Sequence, residues 1–377
     1  MVRTDVLIVG GGLAGSATAY YLAKAGAGVT LIERGALNAR ASGANAGSIH
    51  LQIPHTEYLA LGSAWARAFA PVLPMMRASA AMWTELSAEL GVDLEVALTG
   101  GLLVAETEEQ LRVVADKAVL ERAYGIETRM LGQDELRALA PYVSFRMIGA
   151  AFCAGEGKAN PLKAAPAFAA AAQRLGATIL PDTPLLGLEA EPEGYRAQTP
   201  RGPLRARRVV NAAGAEAATV ARMLGLDLAI DGRPLQVSVT EPVAPLVHHL
   251  LYSAAGKLTL KQMSNGTCLI GGGWPSRRRA DGSLALDPAS LVANLAIAAL
   301  TVPALAEARI VRSWPAIVNG TADWRPIIGE APGRPGFFLS LFPWMGFTAG
   351  PIAALTTAEL VLGRRPGIDL AALSALG

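Results

Sequence analysis

The chain has 377 residues, of which 52% are hydrophobic and 17% charged, with 33 basic and 31 acidic side chains leaving a formal net charge of +2. That length calls for two cores rather than one, and the balanced charge, with no basic face, argues against a nucleic-acid binder. Two distant cysteines, Cys153 and Cys268, and four histidines without ligand spacing argue against an iron–sulfur cluster, a zinc site or a dithiol pair within this chain.

Residues 6–9 read as a buried strand that runs straight into Gly10-x-Gly12-x-x-Gly15. An apolar helix follows and stops at Gly26. A second strand, residues 29–32, ends on Glu33. Gly10 permits the tight turn, Gly12 lets a pyrophosphate approach the backbone, and Gly15 lets the helix pack close to the sheet. The helix start offers N–H groups and partial positive charge to phosphates. Glu33 falls at the spacing where a carboxylate accepts from a ribose hydroxyl. A bound dinucleotide is therefore expected. The segment is acidic at Asp5 and flows into the glycines, so it is not read as a signal peptide.

A small-residue stretch follows at residues 40–53. Helices are expected at 74–90, 106–124, 134–140 and 164–175, with strands at 100–105 and 178–180. Residues 208–211 read as a strand returning to the dinucleotide. Strands at 235–240, 257–262 and 268–272 form an antiparallel sheet, with Asn265-Gly266 as a hairpin signal. Residues 289–306 carry no charge, but Asn294, Thr301, Pro303 and the Asp287-Pro288 start favour a buried helix over a membrane span. The apolar composition favours a partner chain or oligomer, and the expected compartment is the cytoplasm. Near the end come a strand at 336–340, a loop and a helix at 351–362. The expected fold is α/β plus α+β: a Rossmann-like dinucleotide domain interleaved with an antiparallel-sheet substrate domain. Residues 1–85, 150–225 and 315–377 are assigned to the first, and 86–149 and 226–314 to the second.

Four blocks in order carry a resemblance: Gly10 to Gly15 with Glu33-Arg34; Ser42-GANAG; Val209-VNAAG; and Asp323-WRPIIGE followed by Gly346-FTAGP. Together they resemble the FAD-dependent D-amino-acid oxidase-like family, which includes glycine and sarcosine oxidases. Ala44-NAGSIHLQ and Phe342-PWMGFTAGP look most like the β subunits of opine oxidases and of proline or hydroxyproline dehydrogenases. The resemblance implies non-covalent FAD and oxidation of a C–N bond. Gly10, Gly12, Leu13, Ala14 and Gly15 would wrap the pyrophosphate, with Glu33 on the ribose and Arg34 beside it. Ser42, Gly43, Asn45, Ala46 and Gly47 would line the pyrophosphate and flavin side. Leu185 would meet the adenine, Ala213 and Gly214 would allow close backbone approach, and Gly346, Phe347 and Thr348 would reach the isoalloxazine.

Gly271-Gly272-Gly273 followed by Trp274-Pro275 argues against a second Rossmann helix, and the absence of any Gly-Asp pair argues against a hydroxylase-type monooxygenase. An amino-acid substrate needs a cation for its carboxylate. Alignment with the family puts Trp344 and Val318 where glycine oxidase-like members carry arginines. Arg325 is the first substitute, with Arg233, Arg312 and Lys261 behind it. His50 follows the flavin-side loop; it either serves as a proton shuttle or substrate ligand, or sits as a hydrogen-bonded core histidine. Trp344 and Met345 would shape an apolar wall. The leading expectation is an opine oxidase or dehydrogenase β subunit of the octopine or nopaline type. It would pass electrons to an α partner and an iron–sulfur γ partner. Two alternatives stay open: a proline, hydroxyproline or glycine-type enzyme, and a flavin-binding assembly subunit without turnover.

Overall fold

A computed structural model of the chain describes residues 2–370. Its first strand, Val2–Val9, is buried on both faces over residues 6–9. Val6 and Ile8 point into one core, while Leu7 and Val9 point into another. A strand covered on both sides has no polar face to alternate, which is why its sequence is a continuous apolar run.

That strand sits inside a sheet whose order is Ile327–Glu330, Phe337–Leu341, Leu204–Asn211, Val2–Val9, Val29–Ile32, Thr178–Leu180. Neighbours are parallel except for the antiparallel outer pair Ile327–Glu330 and Phe337–Leu341. Gly194–Gln198 and Gly187–Glu191 branch off antiparallel from Leu204–Asn211. The helices Leu13–Lys24, Leu73–Leu90, Pro161–Arg174 and Gly346–Val361 share the larger core. Leu73–Leu90 ends where Gly91 turns left-handed at φ 68, as its glycine signals.

The second sheet runs Ile310–Gly320, Asp231–Pro242, Thr267–Gly271, Gly256–Gln262, Leu250–Ser253, Gly101–Ala105, Gly149–Cys153, Thr128–Gly132. It is antiparallel apart from one pair, Leu250–Ser253 with Gly101–Ala105. That pair joins two distant stretches of chain, so no hairpin imposes an antiparallel direction. The uncharged helix Pro288–Thr301 packs on this sheet, with Asp287 Oδ1 accepting the Ser290 N–H at 2.9 Å as its N-cap. Among the described residues no helix is long and apolar enough to cross a membrane.

Several boundaries differ from the sequence reading. Residues 150–153 and 315–320 pair within the second sheet, not the first. The helix expected from 164 starts at Pro161, where Asn160 caps it. The last helix starts at Gly346, with Pro351 inside it rather than at its head. Proline at that depth removes one N–H from the helix ladder, which mimics a helix start in the sequence.

Candidate functional site

The carboxyl ends of Val2–Val9, Val29–Ile32 and Leu204–Asn211 open on a groove of about 510 Å³. This is where an open parallel sheet receives a ligand. Gly10 leaves the first strand at φ 114, a conformation that side chains resist. Gly12 caps the helix Leu13–Lys24, and a Cβ there would stand 2.8 Å from Ser42 Oγ. First-turn N–H groups have no carbonyl four residues back; Ser42 Oγ accepts the one from Leu13 at 2.9 Å. Glu33 accepts the Gly11 N–H at 2.7 Å on Oε2 and the Gly35 N–H at 3.1 Å on Oε1, so its carboxylate is held at the groove. Arg34 lines the same wall and approaches Glu216 at 3.5 Å.

Gly10, Gly12, Leu13, Ala14, Ser42 and Asn45 line this groove, as do Leu185, Ala213, Gly214, Gly346 and Phe347. Gly15, Gly43 and Gly47 do not. A Cβ on Gly15 would fall 1.9 Å from Gly10 O, one on Gly43 2.1 Å from Asn38 O, and one on Gly47 2.2 Å from Ala159 O. These three glycines let backbone meet backbone around the groove instead of touching its contents.

A second cavity, of about 700 Å³, adjoins the first. Asn45, Ala316, Val318, Trp344 and Phe347 line both, so this shared stretch is the junction between them. Ala46, Met345 and Thr348 face the second cavity. Its walls are mostly apolar: Ile53, Leu61, Leu235, Leu258, Trp314 and Trp324. Trp344 is fixed firmly, with its N–H donating to Asn319 O at 3.0 Å and its Nε1–H to Thr321 O at 3.1 Å.

The start of the last helix is bound into the site through Thr348. Its hydroxyl accepts the His50 N–H at 2.9 Å, and its carbonyl accepts from Ser79 Oγ at 2.7 Å and Trp83 Nε1 at 2.9 Å. The dipole of Gly346–Val361 therefore points its positive end at the junction.

One end of the cavity is polar. His50, Gln52, His55, Lys117 and Tyr252 line it. His50 Nδ1 lies 2.8 Å from Tyr252 Oη. Burial, with Lys261 adding to it, lowers His50 to about 3; the surface that His50 keeps faces the cavity. Burial and then Lys117 lower His55 to about 4, and its Nδ1 has no partner among the described residues. Lys117 and Glu121, both fully buried, form an ion pair. Glu121 also accepts from the Ile53 N–H at 2.8 Å and Thr128 Oγ1 at 2.8 Å. Lys261 sits behind Ser48, whose hydroxyl accepts from it; burial lowers it to about 7, and Lys158 pushes the same way.

The cations expected for a substrate carboxylate separate here. Arg233 lines the cavity, paired at 2.8 Å with Asp231, both more than half exposed. Arg325 lines neither cavity, and its backbone N–H donates to Asp323 Oδ1 at 3.1 Å. Arg312 packs over the Trp314 ring at 5.6 Å. Sequence reasoning missed Tyr252, Gln52, Lys117 and Trp324. Trp324 and Gln52 carried a local signal, since they stand inside the family-like Asp323-WRPIIGE and Ala44-NAGSIHLQ stretches.

A glycine turn, helix start and held carboxylate around one groove suit a dinucleotide, and a family model described as FAD dependent oxidoreductase (DAO) matches residues 5–360. The chain belongs to this family. The cofactor of this FAD-dependent family is FAD, and the groove residues fit its adenosine and pyrophosphate. Among relatives, glycine oxidase of Geobacillus kaustophilus is 29% identical over 99% of this chain and 96% of its own length. An opine oxidase subunit of Rhizobium meliloti is 29% identical over 100% and 98%. The sarcosine oxidase β subunit of Rhodobacter capsulatus is 26% identical over 95% and 85%. The solved glycine oxidase of Geobacillus kaustophilus superposes with TM-score 0.86 at 27% identity, covering 100% of this chain and 99% of that one. L-proline dehydrogenase of P. horikoshii reaches the same TM-score at 24% identity, covering 97% and 95%, and so shares the fold.

Proposed function

We propose that this FAD-dependent oxidoreductase oxidises the C–N bond of a secondary amine carrying carboxylate and a large substituent. An opine, an N-carboxyalkyl amino acid, is the substrate class, and the chain acts as the flavin-bearing subunit of a heteromer. The observation that carries this reading is the cavity of about 700 Å³ walled by Trp344, Trp324 and Val318. The flavin ring would take the part of that space lined by Asn45, Ala46, Phe347 and Thr348, leaving the part walled by Leu235, Leu258, Trp314 and Trp324 to an apolar substituent. The glycine oxidase and opine oxidase relatives stand at equal identity, and Trp344 and Val318, standing where glycine oxidase-like members carry arginines, support the second.

Bound FAD supplies the hydride acceptor. The chain's own residues bind and orient. Arg233, at the rim, takes a substrate carboxylate in place of Arg325. His50 accepts the substrate N–H, and Met345 with the tryptophans excludes water around the reacting carbon. Both cysteines are buried and line neither cavity, which supports a flavin held without a thioether tether. A partner chain receiving electrons is supported by the names of the opine and sarcosine relatives, each one subunit of an oxidase.

The test is anaerobic bleaching of the holoenzyme's flavin. Octopine or nopaline is expected to bleach it faster than proline, hydroxyproline or glycine. Faster bleaching by proline or glycine overturns the opine reading in favour of a simple amino-acid enzyme. Purification from the native source is expected to bring down further chains, one of them an iron–sulfur protein.

A further inference from the structure

The strand Thr267–Gly271 leaves the second sheet through Gly271-Gly272-Gly273, and all three glycines line the larger cavity. Two of them answer to the backbone. Gly272 and Gly273 hold φ of 126° and 81°, where side chains are strained. Gly271 has no positive φ, so the turn does not explain its missing side chain. Glycine inside a strand weakens it and often marks a close approach by a ligand.

The neighbouring strands show what these glycines leave open. Side chains alternate across a strand. In Gly256–Gln262, Leu258 and Leu260 enter the core under the sheet. Lys257, Thr259 and Lys261 take the opposite face, from which Lys261 reaches Ser48 in the cavity lining. In Asp231–Pro242, Arg233, Leu235 and Val237 share the cavity face, while Gln236 reaches Asp287 on the other. Thr259 pairs with Gly271. A Cβ on Gly271 would stand 3.2 Å from Thr259 Oγ1 and 3.6 Å from Val237 Cγ2, whereas one on Gly273 would meet nothing within 4 Å. The cavity floor is a trough with glycine along its bottom. Leu235 and Val237 form one bank, and Lys257 and Thr259 form the other. Lys257 leans across it, its Nζ 3.5 Å from Gly273 O.

We infer that this trough seats the acid arm of a secondary amine bearing two carboxylates, and that Lys257 binds the carboxylate of that arm while Arg233 holds the other.

The charges around the cavity select Lys257. An N-carboxyalkyl amino acid carries carboxylates on both carbons that flank its nitrogen. A single cation would leave one of them unpaired in an apolar enclosure, which is costly. Lys117, Arg233 and Lys257 are the lysines and arginines of the lining among the described residues. Lys117 is already neutralised by Glu121 in a fully buried pair. Lys261 lines neither cavity. Among the described residues Lys257 Nζ meets no carboxylate and donates only to Gly273 O, at 3.5 Å, beyond a good hydrogen-bond length. Its backbone is held in place, because Trp274 Nε1 donates to Lys257 O at 2.8 Å. Arg233 and Lys257 stand on strands two apart in the sheet, a separation of roughly 10 Å. Two long side chains can close that distance from opposite banks onto one dicarboxylate.

This inference rests on the proposed substrate class, so its test compares ligands that differ in one group. Octopine and N-ethylarginine share everything except the second carboxylate. Saturation of anaerobic bleaching gives a dissociation constant and a limiting rate for each with the FAD-loaded enzyme. Wild type is expected to bind octopine more tightly. Lys257→Met is expected to weaken octopine about tenfold, with its limiting rate changing less, and to leave N-ethylarginine bound as before. Lys257→Arg keeps the charge and is expected to recover most of the loss. Gly271→Val fills the trough and is expected to weaken octopine without changing FAD affinity; Gly271→Ala replaces it if the valine variant does not fold. An equal loss for both ligands in Lys257→Met overturns the inference, as does unchanged octopine affinity in the lysine or glycine variant. Failure of octopine to bleach the flavin overturns the substrate reading. The two ligands are then compared by the shift each causes in the visible band of the oxidised flavin, and a wild type without preference for octopine overturns the inference as well.

Discussion

The Trp344 indole lies on that of Trp324, with centroids 4.9 Å apart and planes 18° apart, and both residues hold positive φ, 60° and 65°. Trp65 meets Trp324 edge-on at 5.8 Å. Two bulky residues in the left-handed region imply that the surroundings over-determine them. The pair is a rigid wall of the larger cavity, built where two backbone turns are held against their preference.

That wall has a tight tolerance on its far side. A Cβ on Gly320 would stand 2.3 Å from Trp344 Cζ2. Gly320→Ala is expected to cost about 1–3 kcal/mol, read as a lower thermal midpoint, and to raise substrate KM while FAD affinity stays unchanged. Trp344→Ala is expected to raise KM for a large amine about tenfold, equivalent to ~1.4 kcal/mol, in steady-state kinetics.

Two glycines of one motif are expected to fail differently. Gly12→Ala puts a methyl at the groove, 2.8 Å from Ser42 Oγ; it is expected to weaken FAD binding in dialysis with the denaturant midpoint of the apoprotein nearly unchanged. Gly15→Ala puts a methyl 1.9 Å from the Gly10 carbonyl oxygen, and backbone cannot swing away. Its expected signature is a lowered midpoint before any cofactor is added.

This contrast also marks how far the sequence could be read. Gly10 to Gly15 and Glu33 were legible because strand, turn, helix and acid follow one another, and local spacing encodes the geometry. That Gly12 faces the groove while Gly15 packs against the backbone of the turn was legible for the same reason. Gly43 and Gly47 were not, since the oxygens they approach, on Asn38 and Ala159, are defined only by tertiary packing. Arg325 looked right from its block and lines neither cavity, because a side chain's direction depends on turns that spacing does not encode. The Tyr252–His50 contact spans 202 residues and two sheets, and no periodicity reports such a meeting.

Glu33→Ala removes the acceptor of two backbone N–H groups as well as the carboxylate at the groove. Hydrogen bonds to a charged group contribute about 1.5–3 kcal/mol each. FAD dissociation is expected to rise at least about tenfold, measured by flavin fluorescence on titration into apoprotein.

Acid is expected to destabilise the fold through two histidines. The unfolded chain takes up protons near 6.5, whereas folded His50 and His55 wait until about 3 and about 4. Between these values the unfolded state binds more protons, so stability is lost as pH falls below 6.5. Each contributes a slope approaching about 1.4 kcal/mol per pH unit. Urea midpoints across this range are expected to flatten in His50→Gln and in His55→Gln.

Lys261 has the same sign in a higher pH window. Folded, it loses its proton near 7, whereas an ordinary lysine holds it to 10.5. Burying its charge opposes folding, most strongly below pH 7, and the penalty fades toward 10.5. Lys261→Met is expected to raise the melting temperature at about pH 6 and to give little at about pH 10.

Thr348 fastens the last helix to Ser79, Trp83 and His50, all made some three hundred residues earlier in synthesis. A ribosome therefore releases the glycine turn and Glu33 long before the positive helix end at the junction of the two cavities exists. Loading of FAD is accordingly expected to wait for the residues that follow Gly346, and a nascent chain halted before it is expected to offer the glycine turn and Glu33 with no helix end opposite them.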